Sequence, residues 1–268
     1  MSSGADPMDT YGMWPGGSPF ANGMMAPALP DGSSGRRGDA QRFVRSDVVP
    51  LTTCESTLYV LMQEIEEGPY AGHVALPGSY ASAEQTLQEC ARHVIGDLAS
   101  SAGFFLESCG VFDEPESYRG QHVASMLFVG GVPFERADYA VQSGEASLVE
   151  VRFAPPDGSV ELYLEGTEQQ PVFGNEQMIA QAILHTRRIL DGSLFAFSLV
   201  PDRFTLLALQ GAHEAILNRK LNKTLFRKQM LGRRFGGGRQ VVGTGETIHS
   251  AYRPPELYEL AVLPNLDD

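Results

Sequence analysis

The chain has 268 residues, 43% of them apolar, and a net charge of −13; this length accommodates two domains and a tail, and this apolar fraction supplies an ordinary globular core. Three cysteines (Cys54, Cys90, Cys109), an odd number without CxxC or His-rich spacing, argue against a disulfide framework and against a structural zinc site. No run approaches the ~18 apolar residues of a membrane span, and the N-terminus has neither a basic n-region nor an apolar h-region, so a protein of the reducing cytoplasm with no membrane partner is expected.

Residues 1–40 contain eight Gly, five Pro and five Ser without an apolar period, the composition of a disordered tail. Met8, Met13, Trp14 and Phe20 are scattered through it, which leaves open a docking motif beside a nonspecific extension. From residue 41 to about 200 the pattern is that of a packed domain. Leu58–Met62 reads as a strand, Glu64–Tyr70 as a loop, and His73–Gly78 as a short strand running into a turn. Ser82 and Gln85 spell a capping box for a helix whose Leu87, Cys90, Ala91, Val94, Ile95 and Leu98 fall on one face. Strand-like runs follow at Phe104–Leu106, His122–Val129, Leu148–Phe153 and Val160–Leu164. A second amphipathic helix, about Glu176 to Leu190, starts on Glu176, carries Arg187 and Arg188 near its end as the macrodipole favours, and stops at Asp191-Gly192. Strands, helix, strands, helix is an α+β order, a sheet packed between helices.

Residues 201–268 differ in charge and pattern. Arg203 to Gln240 carries nine basic residues against the single acidic Glu214, a net of +8, which leaves −21 on the rest of the chain; all three lysines, Lys220, Lys223 and Lys228, fall inside it. A cationic module on an anionic chain is expected where the partner is a polyanion. Leu206, Leu209, Ala212 and Ile216 recur at helical spacing, with Thr205 as N-cap and Asn218 as stop. Asn222 caps a second helix, about Lys223 to Arg234, with Leu225, Phe226 and Met230 on one face and Lys223, Arg227 and Arg234 opposite, Thr224 and Lys228 beside them. The like charges Lys223 and Arg227 at i, i+4 imply a countercharge elsewhere. Gly236-Gly237-Gly238, then Val241-Val242, a Gly243–Glu246 turn and a return through Tyr252 to Leu257–Leu260 complete a β-hairpin. Helix, turn, basic helix, hairpin is a winged helix-turn-helix with Lys223–Arg234 as recognition helix. Lys220, Lys223, Thr224, Arg227, Lys228, Arg234, Arg239 and Arg253 are its candidate DNA contacts. Arg227 is expected to read a base and Arg239 and Arg253 to hold phosphates, the other role open to Arg227 being an ion pair with Glu214.

Ala75-Leu76-Pro77-Gly78 and the helix after it resemble a Nudix box: Gly78, Glu84 and Arg92 are in register, but His93, Gly96 and Asp97 stand where that family has its three glutamates, and Ala99 replaces its last glycine. Hydrolysis of a nucleoside diphosphate needs closely spaced carboxylates to hold Mg²⁺, so this departure implies a domain that binds without cleaving. Glu89, His93 and Asp97 share a face and leave two readings open, a transition-metal site or a polar surface. From Leu194–Pro201 through Phe204-Thr205-Leu206, Leu209-Gln210, Glu214–Leu217, Leu221-Asn222-Lys223 and Phe226-Arg227-Lys228 to Arg253–Tyr258, the chain is similar to the NrtR-type, Nudix-related transcriptional regulators. That resemblance implies a Nudix-like α/β/α sandwich joined to the winged helix, acting as a homodimeric repressor of NAD or pyridine-nucleotide genes that ADP-ribose or a related nucleotide releases from a palindromic operator in double-stranded DNA. No cofactor is expected. It also places a ligand pocket between the loop after Phe112, the segment Arg119–His122 and the start of the Nudix helix, with Arg92, Arg119 and His122 as candidate contacts. Two other functions stay open, a divergent Nudix hydrolase and an adaptor whose basic module binds an acidic protein or RNA; RNA would call for exposed aromatics among the basic residues, where only Phe226 and Phe235 stand.

Overall fold

The computed structural model describes residues 42–66, 70–82, 84–96, 105–114, 122–154, 159–170, 172–248 and 254–262; the 1–40 tail, Leu98, Phe104, Asp97, Arg119 and Arg253 lie outside them. The architecture is set by β1 (Arg42–Cys54), a strand buried without interruption from Ser46 to Thr53. It pairs parallel with β6 (His122–Gly131) and antiparallel with β2 (Thr57–Glu64) and β4 (Gly78–Tyr80), the short β3 (Val74–Ala75) pairing in turn with β2. β5 (Leu106–Glu114) flanks β6, and β7 (Ser147–Ala154), β8 (Ser159–Leu164) and β9 (Thr167–Glu168) extend the other side, giving the mixed order β5-β6-β1-β2-β7-β8-β9. A strand in the middle of a sheet covered on both faces presents apolar residues to both sides.

Two layers of helices cover it. On one face Ala91, Val94 and Ile95 of α1 (Leu87–Ile95) and Ala137 and Ala140 of α2 (Phe134–Gln142) pack on Val48, Leu61 and Phe128. On the other, Met178, Ile179, Ala182 and Ile183 of α3 (Asn175–Ile189) pack on Val49, Leu51, Val60 and Met62, together with the 3₁₀ turn Phe195–Leu199. The same apolar cluster continues through Leu209 and Ile216 of α4 (Leu206–Leu217) into Phe226 and Met230 of α5 (Lys223–Gly232). A three-stranded sheet of β10 (Arg234–Phe235), β11 (Arg239–Thr247) and β12 (Glu256–Val262) closes that end. The expected α+β class and the sandwich followed by a winged helix describe this arrangement.

Several local expectations are corrected. Thr86 and Glu89, not Ser82 and Gln85, make the capping box of α1: Glu89 N–H donates to Thr86 Oγ1 at 3.2 Å and Thr86 N–H to Glu89 Oε2 at 2.8 Å. Both pairs obey the same spacing, and the helix starts where the apolar face does. Gly96, at φ 41°, ends α1 with its N–H on the His93 carbonyl. β5 runs through Glu114, so the stretch after Phe112 expected as a loop begins as strand. α5 stops at Gly232, which puts Arg234 on β10 rather than on the helix. Leu225 is 54% exposed while Phe226 and Met230 are buried. Gly243–Glu246 is not the hairpin turn: β11 passes through it with a bulge and Gly245 at φ 77°.

Candidate functional site

The helix pair α4–α5 is fixed by its own sequence at three of its four ends. Thr205 Oγ1 accepts from the Ala208 N–H at 3.1 Å and Asn222 Oδ1 from the Leu225 N–H at 3.0 Å, each satisfying an otherwise orphaned donor of a first turn. Asn218 takes the left-handed conformation (φ 51°) that closes a helix C-terminus. The turn between the helices is organised around Glu214, buried on α4. Its carboxylate accepts from Lys220 Nζ at 2.9 Å, the Leu221 N–H at 2.9 Å, Gln210 Nε2 at 2.8 Å and Ser56 Oγ at 3.4 Å. The Lys220 hydrogen bond, then the Leu221 N–H and Gln210, hold its pKa down to about 2 against the opposing effect of burial. Ser56 belongs to the β1–β2 turn, so Glu214 ties the helix pair to the large sheet as well.

α5 presents one apolar and one cationic face. Phe226 and Met230 are buried, with the Phe226 ring edge-to-face on buried His213 at 5.0 Å. Lys223, Thr224, Arg227 and Lys228 are exposed. Arg227 does not pair with Glu214. Its guanidinium lies 3.7 Å from Glu256 of β12 and over the Tyr258 ring, 5.5 Å from the centroid. Glu256 is thus the countercharge of Arg227. Lys220 keeps an exposed head while bonding Glu214. Arg234 is exposed on β10, and Arg239 is half-buried opposite Phe235. These residues therefore lie along α5 and the adjoining small sheet, with Arg253 outside the described residues. The hairpin is sewn to the helix pair because Tyr258 and Phe204 exchange both backbone hydrogen bonds, at 2.8 and 2.9 Å.

The residues expected at the ligand pocket are less well gathered. Arg92 is exposed in the last turn of α1, His122 opens β6 in register with Arg42, and Arg119 lies outside the described residues. Glu89 is committed to capping, its carboxyl lowered in pKa by the Thr86 N–H and hydroxyl. Among the described residues no group of three or more His, Cys, Asp or Glu side chains is placed to hold a metal ion. Sequence reasoning missed a buried polar cluster beside Gly78. Arg45 donates to Asp47 through Nε at 2.9 Å and Nη2 at 2.6 Å, and the Ser125 hydroxyl of β6 bonds the same carboxylate. The space a Cβ at Gly78 would need is filled by Asp47 Oδ1 and Arg45 Nη2, which is why the turn opens on glycine. The alternation Arg-x-Asp in a strand was the available signal. Asn175, at the start of α3, accepts from the Leu76 N–H at 2.8 Å and so holds this turn from the other face.

Residues 196–260 match the family model of the NrtR DNA-binding winged helix domain. Over 219 residues the chain is 23% identical to the ADPR responsive transcriptional repressor NtrR of Acinetobacter baylyi, covering 81% of each protein. Its fold is similar to that of Shewanella oneidensis NrtR complexed with a 27mer DNA, with a TM-score of 0.62 at 18% identity over 81% of this chain and 93% of that one. A MutT/nudix family protein from Enterococcus faecalis also matches, with a TM-score of 0.62 at 14% identity over 82% and 88%. The chain thus joins a mixed-sheet domain to a C-terminal segment that matches the NrtR winged helix domain model, in a fold similar to that of Shewanella oneidensis NrtR.

Proposed function

We propose that this protein is a ligand-responsive transcriptional repressor: residues 201–268 bind double-stranded DNA, and residues 41–200 sense a nucleotide. The observation that carries the reading is the match of residues 196–260 to a DNA-binding winged helix family, joined to an exposed cationic face on α5 in an otherwise anionic chain. A helix that buries Phe226 and Met230 and exposes Lys223, Thr224, Arg227 and Lys228 from its first turns is suited to the major groove. Lys220, Arg234, Arg239 and Arg253 would hold phosphates around it. One winged helix spans few base pairs, so the protein acts as a homodimer on a palindrome.

The relative from Acinetobacter is an ADPR responsive repressor, which supports ADP-ribose or a related nucleotide as effector here and genes of NAD or nucleotide-linked metabolism as targets. Arg92, Arg119 and His122 are the residues we assign to its pocket. We read the sheet domain as non-hydrolytic, because the glutamates that would hold Mg²⁺ are replaced by His93, Gly96 and Asp97. Such a regulator works in the cytoplasm, and among the described residues no helix is long and apolar enough to cross a membrane. Footprinting on the DNA upstream of the protein's own gene and of NAD-metabolism genes tests the proposal. A protected palindrome is the expected result; equal binding to scrambled duplex of the same length would overturn it.

A further inference from the structure

We propose that Glu256 is a positioning residue of the DNA reader, which orients the Arg227 guanidinium for a single base. This inference rests on the assignment of α5 as the reading helix. Four observations converge on it. Glu256 reaches across from β12 to within 3.7 Å of Arg227 Nη2. The Tyr258 hydroxyl hydrogen-bonds the same carboxylate, and its ring lies under the guanidinium. Tyr258 is itself buried and locked to Phe204 by two backbone bonds, so the platform is rigid. Lastly, the Glu256 carboxylate lies against Gly243 of β11, where an added Cβ would stand 2.6 Å from Oε1. The hairpin therefore has a glycine at the place that lets Glu256 lie flat toward α5.

An exposed ion pair contributes little to stability, and both partners here are about half exposed, so the arrangement is better explained by direction than by energy. A free arginine samples many rotamers. One leaning on a carboxylate and an aromatic face holds the plane of its guanidinium in one orientation, as a bidentate contact with guanine requires. The carboxylate also puts a negative charge near the DNA backbone, which weakens nonspecific binding and so favours discrimination.

The test uses the full chain and a randomised duplex library, with enriched sequences compared for the wild type and three variants, followed by affinities on the enriched and scrambled duplexes. Arg227→Ala should lose preference at one base pair per half-site. Glu256→Gln should lose about tenfold discrimination at that same pair while binding scrambled duplex more tightly. Gly243→Ala, which displaces the carboxylate without removing its charge, should lose the same discrimination with no gain on scrambled duplex. Gly243 does not have positive φ, and the atom displaced is the end of a flexible side chain, so this variant tests position apart from folding. If the wild type enriches no sequence, the reading helix itself fails. If Arg227→Ala loses a base preference but Glu256→Gln and Gly243→Ala keep it, only the role of Glu256 is overturned.

Discussion

At the scale of single residues the two charges that matter most are Glu214 and Arg227, and they do opposite things. Glu214 is buried and gathers four donors, the Leu221 N–H and the Gln210 amide on Oε1 and Lys220 and Ser56 on Oε2, so an amide in its place keeps one acceptor oxygen but loses the charged bond from Lys220 at the turn that aims α5. Glu214→Gln should cost about 1–3 kcal/mol in urea unfolding. The pH dependence follows from its depressed pKa of about 2. An ordinary glutamate titrates near ~4.3, so the unfolded chain takes up this proton first; the stabilisation is complete above about pH 5 and is lost as pH falls toward 2. The gap between wild type and Glu214→Gln should therefore narrow over that window, and a constant gap would refute the assignment. Arg227 is exposed, held beside Glu256 and over Tyr258, with its outer side open to a partner. Its replacement by alanine should cost ~1–3 kcal/mol on the operator and relax one base position. Arg239→Ala should instead weaken every sequence alike and reduce the salt slope by about 0.9. Binding measured on operator and scrambled duplex across a salt series separates the two.

At the scale of elements, α3 joins the sheet to the helix pair. Gln181 donates to the Cys109 carbonyl at 3.2 Å and His185 meets Glu107 at 3.2 Å, both on β5. At the other end Arg187, stacked 4.2 Å over Phe153, donates through Nε to the Ile216 carbonyl at the end of α4 at 2.7 Å. Arg233 after α5 pairs with Asp191 just past α3. Arg187→Ala should lower stability by about 1 kcal/mol. It should also shrink the effect of the effector on DNA affinity while leaving effector affinity within twofold, roughly; calorimetry and anisotropy together report both, and an unchanged effect would take α3 out of the coupling. The caps of α4 and α5 were legible because Thr205, Asn218 and Asn222 act on neighbours in sequence. β1 was not, because a strand buried on both faces has no alternation to read. α2 was missed since its buried face is only Ala137 and Ala140, too small to mark a period. Gly243-Thr244-Gly245-Glu246 looked like a turn, but glycines in a strand also make bulges, and only cross-strand pairing decides between them. In the Arg45–Asp47–Ser125 cluster the Arg-x-Asp pair is a local pattern, but Ser125 comes from β6, far along the chain, and no local pattern encodes that join.

At the scale of the whole molecule, charge is divided between the two units. The +8 stretch can approach a polyanion while the remaining −21 keeps the rest of the surface off it. The wild-type protein should not hydrolyse ADP-ribose, since hydrolysis needs several carboxylates around Mg²⁺. Mg²⁺-dependent turnover that disappears in Asp97→Ala would contradict this. The central claim, that a nucleotide on the sheet domain governs DNA on the winged helix, is tested most directly by measuring operator affinity with and without saturating ADP-ribose, and ADP-ribose affinity with and without operator. The expected result is a weakening of about 5- to 150-fold, equal in the two directions because coupling between binding sites is reciprocal. Operator affinity that stays the same at saturating ADP-ribose would contradict it.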